Sequence, residues 1–209
     1  MENFQLNNDV CIKDLRDNIK VYDVIIEGTT SLLQHRFVDY QIKKKYEEWK
    51  DFLYTYNNKV FQPSKHIESA IIKASELIKV PGMGKKTYRS IFNRSLRIDP
   101  FRLFYGIDTP QTLDTKQNKP IYLDIRRETL TKRKVLRYRP AISSGWKLKF
   151  TITCFNPDIS KSVLLKVLTY AGNYCGIGDK RPEFGKFKVV KFDLVKEQNH
   201  GTQVRHKIL

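Results

Sequence analysis

The feature that most constrains the fold is a strict alternation of apolar and polar residues in the segment "WKLKFTITCF", residues 146–155. Its apolar positions are Trp146, Leu148, Phe150 and Ile152, and the intervening ones are Lys147, Lys149 and Thr151. A period of two places these sets on opposite faces of a β-strand. The segment therefore predicts a sheet with one face in a core and the other towards solvent.

Three further segments have the composition of strands. "KVYDVIIEG" predicts a first strand over Lys20–Glu27, and "KFKVVKFDLV" predicts the last strand. "LRIDPFRLFY" also predicts a strand, in which Pro100 implies a sheet edge or a bulge. Between it and the alternating strand, "KPIYLDIRRETLTKRKVLRYRPAI" predicts two strands that join through Thr129 to Arg133.

Helices are predicted between these strands. In "SKHIESAIIKASELI" an apolar face repeats at helical spacing, with Ser64 as the expected N-cap after Pro63. In "SKSVLLKVLTYAG" Ser160 is the expected N-cap and Gly172 the expected stop. A further helix is expected in "YQIKKKYEEWKDFLYTY" from the spacing of its apolar residues. With insertions set aside, the order βαββαβ predicts an α+β, ferredoxin-like (RRM-like) fold.

The charge distribution predicts a polyanionic partner. Residues 1–60 carry 9 basic and 10 acidic residues, whereas residues 61–209 carry 30 basic and 12 acidic residues. A basic excess confined to one part of a chain favours binding to nucleic acid. We find no lipidation signal and no long basic amphipathic helix, so a membrane surface is not an expected partner.

The cysteines and the N-terminus predict the compartment. Cys11, Cys154 and Cys175 are odd in number and widely spaced, which argues against a disulfide framework and against a zinc site. No signal peptide and no membrane span is recognisable. We therefore expect a cytoplasmic protein without a metal or cofactor.

A loop with three glycines is the first candidate site. "CGIGDKRPEFGKF" contains Gly176, Gly178 and Gly185 together with Lys180, Arg181 and Lys186. Glycines allow the backbone to approach a ligand, and free N–H groups beside cations suit phosphate oxygens. The alternative is an ordinary connection whose glycines satisfy turn geometry.

Two basic segments are further candidates. Within the predicted hairpin, residues 126–139 carry seven basic residues against Glu128, with Tyr138 available to stack on a base. These seven are Arg126, Arg127, Lys132, Arg133, Lys134, Arg137 and Arg139. The segment "KVPGMGKKTYRSIFNRSLR" combines Tyr88, for stacking, with Phe92, expected in the core. Its candidate RNA contacts are Lys85, Lys86, Arg89 and Arg94.

Three stretches resemble one protein family in the correct order. "GIGDKRPEFGKFKV" resembles the C-terminal glycine-rich loop of the repeat-associated mysterious proteins (RAMPs), the RRM-like RNA binders of CRISPR systems. "VIIEGTTSLL" resembles their first strand and turn, and "FQPSKHIESAIIKA" resembles their helix entry. The helix entry is carried by Phe61, Pro63, Ser64, Ile67 and Ala70.

The resemblance implies a compact relative of the CRISPR backbone subunit. In those subunits a β-hairpin "thumb" between the second and third core strands folds over guide RNA, and the copies polymerise along it. A phage or mobile element could also encode such a protein. The expected partners are a guide or small RNA, further copies of the chain and other CRISPR-type subunits.

We therefore expect a single domain over residues 1–209 that binds RNA without catalysis. Its core lies within residues 20–195, its basic insertion at about 80–142, and a loose tail at 196–209. One alternative is a metal-independent endoribonuclease in which His35 is general acid or base and Arg36 holds the phosphate. Another is a single-stranded DNA-binding protein. No Walker loop, GxSxG or HExxH motif is present.

Overall fold

A computed structural model describes residues 19–37, 49–130 and 133–195. The predicted tail, most of the predicted helix around Ile42 and Tyr46, and Lys132 lie outside these ranges. The strands are β1 (Lys20–Gly28), β2 (Leu32–Leu33), β3 (Thr55–Tyr56), β4 (Lys59–Pro63), β5 (Leu96–Asp99), β6 (Arg102–Asp108), β7 (Ile121–Leu130), β8 (Arg133–Ile142), β9 (Lys147–Cys154) and β10 (Phe187–Leu194). The helices are α1 (Trp49–Phe52), α2 (Ser64–Ser75), α3 (Arg89–Phe92) and α4 (Lys161–Tyr170), the last continued by a π-helical turn, Ala171–Cys175.

A four-stranded sheet in the order β10-β1-β9-β5 forms the centre of the molecule, and all its neighbours are antiparallel. Its register places Val24 opposite Phe150 on one side and opposite Phe192 on the other. The predicted alternation in "WKLKFTITCF" is confirmed, because the even-numbered residues 146–152 are buried and Lys149 is exposed. One face of this sheet therefore belongs to the core.

Helices α2 and α4 join that core through their apolar stripes. Ile67 and Ile71 of α2 are fully buried in one cluster with Leu164 and Leu168 of α4 and with the inner face of β9. Burial of such side chains contributes about 2 kcal/mol each. The α+β class expected from the sequence is confirmed.

The helix ends differ in part from their predictions. Ser160 is the N-cap of α4, and its hydroxyl accepts a hydrogen bond from the Val163 N–H. Ser64 is the first helical residue and not a cap, because the N-cap is Pro63. Gly172 does not stop α4, because the helical backbone continues through the π-helical turn. This turn ends at Gly176, which has a φ of 69°. Gly172 is needed for packing instead, since a Cβ there would lie 2.1 Å from the Phe187 carbonyl oxygen.

Two smaller sheets flank the central one. Strands β2, β8 and β7 form the first, in which β7 and β8 are the predicted hairpin, and β3, β4 and β6 form the second. The single strand predicted for "LRIDPFRLFY" is two strands, β5 and β6, separated at the cis peptide Asp99–Pro100. Residues 80–142 therefore contribute strands to all three sheets.

Within the described ranges, no helix is long and apolar enough to span a membrane.

Candidate nucleic-acid interface

The glycine-rich loop between the π-helical turn and β10 runs beside the segment that follows β1. The Gly185 N–H donates to the Ser31 carbonyl (2.8 Å), and the Asp179 N–H donates to the Leu33 carbonyl (2.8 Å). The Ile177 N–H donates across the loop to the Gly185 carbonyl (3.0 Å). These three N–H groups therefore already donate to carbonyl groups of the protein's own backbone.

The glycines of the loop permit this close backbone packing. Gly176, Gly178 and Gly185 have φ values of 69°, 82° and 71°, a region that L side chains disfavour. A Cβ at Gly185 would lie 1.8 Å from the Ile177 carbonyl oxygen, and one at Gly178 would lie 2.5 Å from that of Leu33. Gly176 and Gly185 are buried, and the Gly176 N–H donates to the Ala171 carbonyl. The Gly176 N–H is therefore already bonded within the protein, and turn geometry explains this glycine. Gly178 is partly exposed.

The hairpin β7–β8 has two chemically different faces. Its inner face is tied to the glycine-rich loop by ion pairs. Arg139 lies 2.8 Å from Glu128 and 2.5 Å from Asp179, and it is only 4% exposed. Arg126 pairs with Asp124 (2.8 Å) and Glu183 (2.9 Å).

Charge on this inner face is balanced. Four cations meet four carboxylates there: Arg126, Arg137, Arg139 and Lys180 with Asp124, Glu128, Asp179 and Glu183. The guanidinium of Arg126 also lies 4.4 Å from the centre of the Phe184 ring. Our expectation that every one of these cations faces RNA is thus corrected: Arg139 is buried and attaches the hairpin to the loop. Hydrogen bonds from Arg139 hold the pKa of Glu128 below its ordinary value.

The outer face of the hairpin carries the exposed side chains. The register pairs Ile125 with Tyr138, and Arg127 with Leu136. Ile125, Leu136 and Tyr138 are between 41% and 49% exposed. Arg127 and Lys134 are exposed on the same face and have no ion-pair partner among the described residues. Two exposed cations on the same face as an exposed tyrosine suit a phosphate chain with stacked bases.

The segment after α2 is only partly available to a ligand. Tyr88 is buried and packs edge-on against the buried Phe92, so its ring faces the core and not a ligand. The expected burial of Phe92 is confirmed. Arg89 pairs with Glu76 (2.5 Å). Lys85, Lys86 and Arg94 are exposed and carry no ion pair within the part of the chain described.

The remaining predicted contacts are dispersed. Arg36 is exposed and its Nε donates to the Asp51 carbonyl (3.2 Å). Arg181 is exposed and Lys186 half-buried, both in the glycine-rich loop. Arg133 begins β8, at the end of the hairpin next to the undescribed residues.

A small pocket of about 130 Å³ brings both described histidines together beside the glycine-rich loop. Its lining includes His35, His66, Gln62 and Gly178. The ring of His35 stacks on Phe52, with centroids 4.4 Å apart. Nδ1 of His66 accepts a hydrogen bond from the Gln62 amide, which places the ring proton on Nε2. Burial, together with the charge of Arg181, lowers the pKa of His66.

Sequence reasoning missed an exposed aromatic cluster on the sheet β3-β4-β6. Tyr56, Phe101 and Phe104 are between 45% and 60% exposed, with Arg102 among them. The alternation in "RLFYGID" is the signal that could have identified the exposed row, but the prediction of one strand from Leu96 to Tyr105 obscured it.

The open face of the central sheet has a different character. Across it, Ile25 lies beside Lys149 and Lys191, and Asp23 lies beside Thr151. None of these described residues offers an aromatic ring on which a base could stack. The candidate interface is therefore the hairpin with its loop, and not this face.

The sequence and the fold were compared with known proteins. No protein-family model matches the sequence, and no curated protein matches it. A chain in the cryo-EM structure of the Type III-B Cmr-beta bound to cognate target RNA has a similar fold, with a TM-score of 0.54. The match covers 93% of this chain and 70% of that chain at 11% identity. The likeness is one of fold.

Gly185→Ala should destabilise the protein more than Gly84→Ala. Both glycines have positive φ, but only the Cβ at position 185 meets another atom. We expect a decrease of about 3 kcal/mol or more in the free energy of unfolding for Gly185→Ala and about 1 kcal/mol for Gly84→Ala. Urea unfolding measures both, and equal decreases would contradict the close approach.

Arg139→Met should lower the free energy of unfolding by about 3 kcal/mol at pH 7, because it removes the buried guanidinium that pairs with the half-buried carboxylates of Glu128 and Asp179. Arg137→Met is the matched control: Arg137 is half-exposed, lies 3.6 Å from the same Glu128, and should cost less than about 1 kcal/mol. Urea unfolding of the two variants measures both values, and equal costs would contradict the structural role of Arg139.

The stability contributed by the ion pair between Arg139 and Glu128 depends on pH. The pKa of Glu128 is lowered in the folded state. The contribution of its carboxylate to the free energy of unfolding is therefore fully present above the ordinary pKa of 4.5, and it is lost as the pH falls through the folded-state pKa. The stability difference between wild type and Arg139→Met should therefore narrow below about pH 4.5. A difference that stays constant from about pH 7 to about pH 3 in urea titrations would contradict the ion pair.

Proposed function

We propose that the protein is a non-catalytic RNA-binding protein that grips the RNA backbone, with several copies assembling along a guide or small RNA in the manner of a CRISPR effector backbone subunit. The observation that carries this proposal is the outer face of the hairpin. Arg127 and Lys134 present positive charge there, unpaired among the described residues, on the same face as the exposed ring of Tyr138. Cations that track a backbone and rings that stack bases bind single strands with little sequence preference.

The fold supports the same proposal. Two helices on one face of a sheet in the order β10-β1-β9-β5 suit an RRM-like core of the RAMP type, with one domain and a hairpin inserted before β9. The likeness to a chain in an RNA-bound Type III-B Cmr-beta structure agrees with that assignment. Contacts to RNA by Arg36, Lys85, Lys86, Arg94, Arg181 and Lys186 stay predictions.

The hairpin is tested by a double variant. Arg127→Ala with Lys134→Ala should weaken binding of a single-stranded RNA of about 20 nucleotides and reduce the salt slope of log K by about 0.7 for each phosphate that the variant no longer neutralises. Fluorescence anisotropy at several salt concentrations measures both quantities. Lys149→Ala is the matched control, because Lys149 is exposed on the open face of the central sheet.

Three results would change the proposal. An unchanged slope in the double variant would exclude the hairpin as the RNA surface. If the wild-type protein binds a single-stranded DNA of the same sequence as tightly as it binds the RNA, a single-stranded DNA-binding protein would be favoured. A single protomer on an RNA several times longer than one binding site, measured by sedimentation, would exclude assembly along the strand.

A metal-independent endoribonuclease is a second candidate, favoured by the pocket that His35 and His66 line together. Cleavage through the RNA's own 2′-hydroxyl needs a group that takes one proton and a group that gives another. A neutral His66 with the proton on Nε2 and a neighbouring His35 supply two titratable rings at one site.

This candidate predicts RNA cleavage in EDTA that His35→Ala abolishes while RNA affinity stays within about twofold of wild type. Gel analysis of the same RNA measures cleavage, and anisotropy measures affinity. An RNA that stays intact with wild type, or is cut equally by His35→Ala, would contradict it.

A further inference from the structure

A second surface of the molecule has the chemistry of a base-stacking platform. It lies on the exposed side of the sheet β3-β4-β6. We define it by Tyr56, Phe101, Arg102 and Phe104, with Phe61 as its floor.

The rings of this platform surround a guanidinium group. Arg102 lies 4.0 Å from the centre of the Tyr56 ring, 5.8 Å from that of Phe61 and 5.9 Å from that of Phe101. Phe104 faces Phe61 across the strand pair, with centroids 6.0 Å apart. One arginine thus connects three rings, and the fourth ring extends the surface.

The rings are exposed where burial would be expected. Phe101 is 60% exposed and Tyr56 and Phe104 are each 45% exposed, whereas Phe61 beneath them is 7% exposed. Beyond Phe104 along β6 comes Gly106, where an added Cβ would meet nothing within 4 Å. The surface beside the ring is therefore open to a planar ligand.

The charge of the platform distinguishes it from other arginine–aromatic contacts in the molecule. Arg102 has no ion-pair partner among the described residues, and the carboxylate of Asp108 on the same strand is neutralised by Lys59 at 2.6 Å. By contrast, Arg97 lies over a single ring, Phe155, and is paired with Asp99 at 2.7 Å. The platform therefore carries net positive charge.

We propose that this platform binds single-stranded RNA by stacking unpaired bases on its rings, with Arg102 contacting the adjoining phosphate. The inference rests on the proposed RNA-binding function and adds a second contact surface to the hairpin. Exposed rings can stack on any base, because each base has a π face, and the guanidinium favours a polyanion over an apolar protein surface.

The test uses a single-stranded RNA that contains 2-aminopurine, whose fluorescence falls when it stacks. The variant is Phe101→Leu with Phe104→Leu, which keeps apolar bulk at exposed positions and removes the rings. We expect affinity about tenfold weaker at every salt concentration, an unchanged salt slope and reduced quenching. The Arg102→Met variant should instead reduce the slope by about 0.7.

Two control variants separate stacking from structural damage. Phe101→Tyr with Phe104→Tyr keeps both rings and should bind RNA as wild type does. Phe155→Leu removes an exposed ring whose arginine is already paired, and it too should bind as wild type does. Circular dichroism checks that each variant is folded.

The possible outcomes separate this inference from the proposed function. Wild-type protein that does not bind RNA overturns both. Wild-type binding with equal affinity and quenching in the leucine variant overturns the platform alone. Loss of self-association in the leucine variant with RNA binding unchanged assigns the face to a second copy of the chain and also overturns the inference.

Discussion

The architecture depends on how closely one loop approaches the chain around it. At Gly185 the backbone comes so near to the Ile177 carbonyl that no side chain fits, and the same loop bonds to the segment after β1. Because this segment includes β2, which pairs with the hairpin, the loop joins the central sheet to the hairpin sheet. The sequence suggests that this loop binds a ligand, but in the structure the loop joins the central sheet to the hairpin.

Ion pairs complete that connection and decide which cations a ligand can reach. Arg139 connects the hairpin to Asp179 of the loop, and Arg126 connects it to Glu183. Removing a buried charge from such a pair costs more than the pair itself contributes, so the inner face is constrained to this arrangement. The outer face, with Arg127 and Lys134, has no such constraint among the described residues and is accessible to a ligand.

The sequence predicted the elements better than the site. Period-two and period-3.6 patterns report burial directly, so β9, α4 and the hairpin were predicted correctly. Charge density carries no such directional information: "RRETLTKRKVLRYR" does not reveal that Arg139 faces Asp179 of the glycine-rich loop. The burial of Tyr88 and the exposure of Phe104 depend on tertiary packing in the same way.

Charges balance on the inner face of the hairpin and are uniformly positive on its outer face, so the electrostatic potential differs between the two faces. The fields of opposite charges a few ångströms apart cancel at distances beyond a Debye length of about 8 Å at physiological salt. The charges of the outer face have no such partner among the described residues, so their field extends further from the protein. A polyanion diffusing towards the protein is therefore attracted to the outer face and meets almost no field from the inner one. The pairing of four carboxylates within the molecule would thus orient a polyanion towards the outer face before any contact forms.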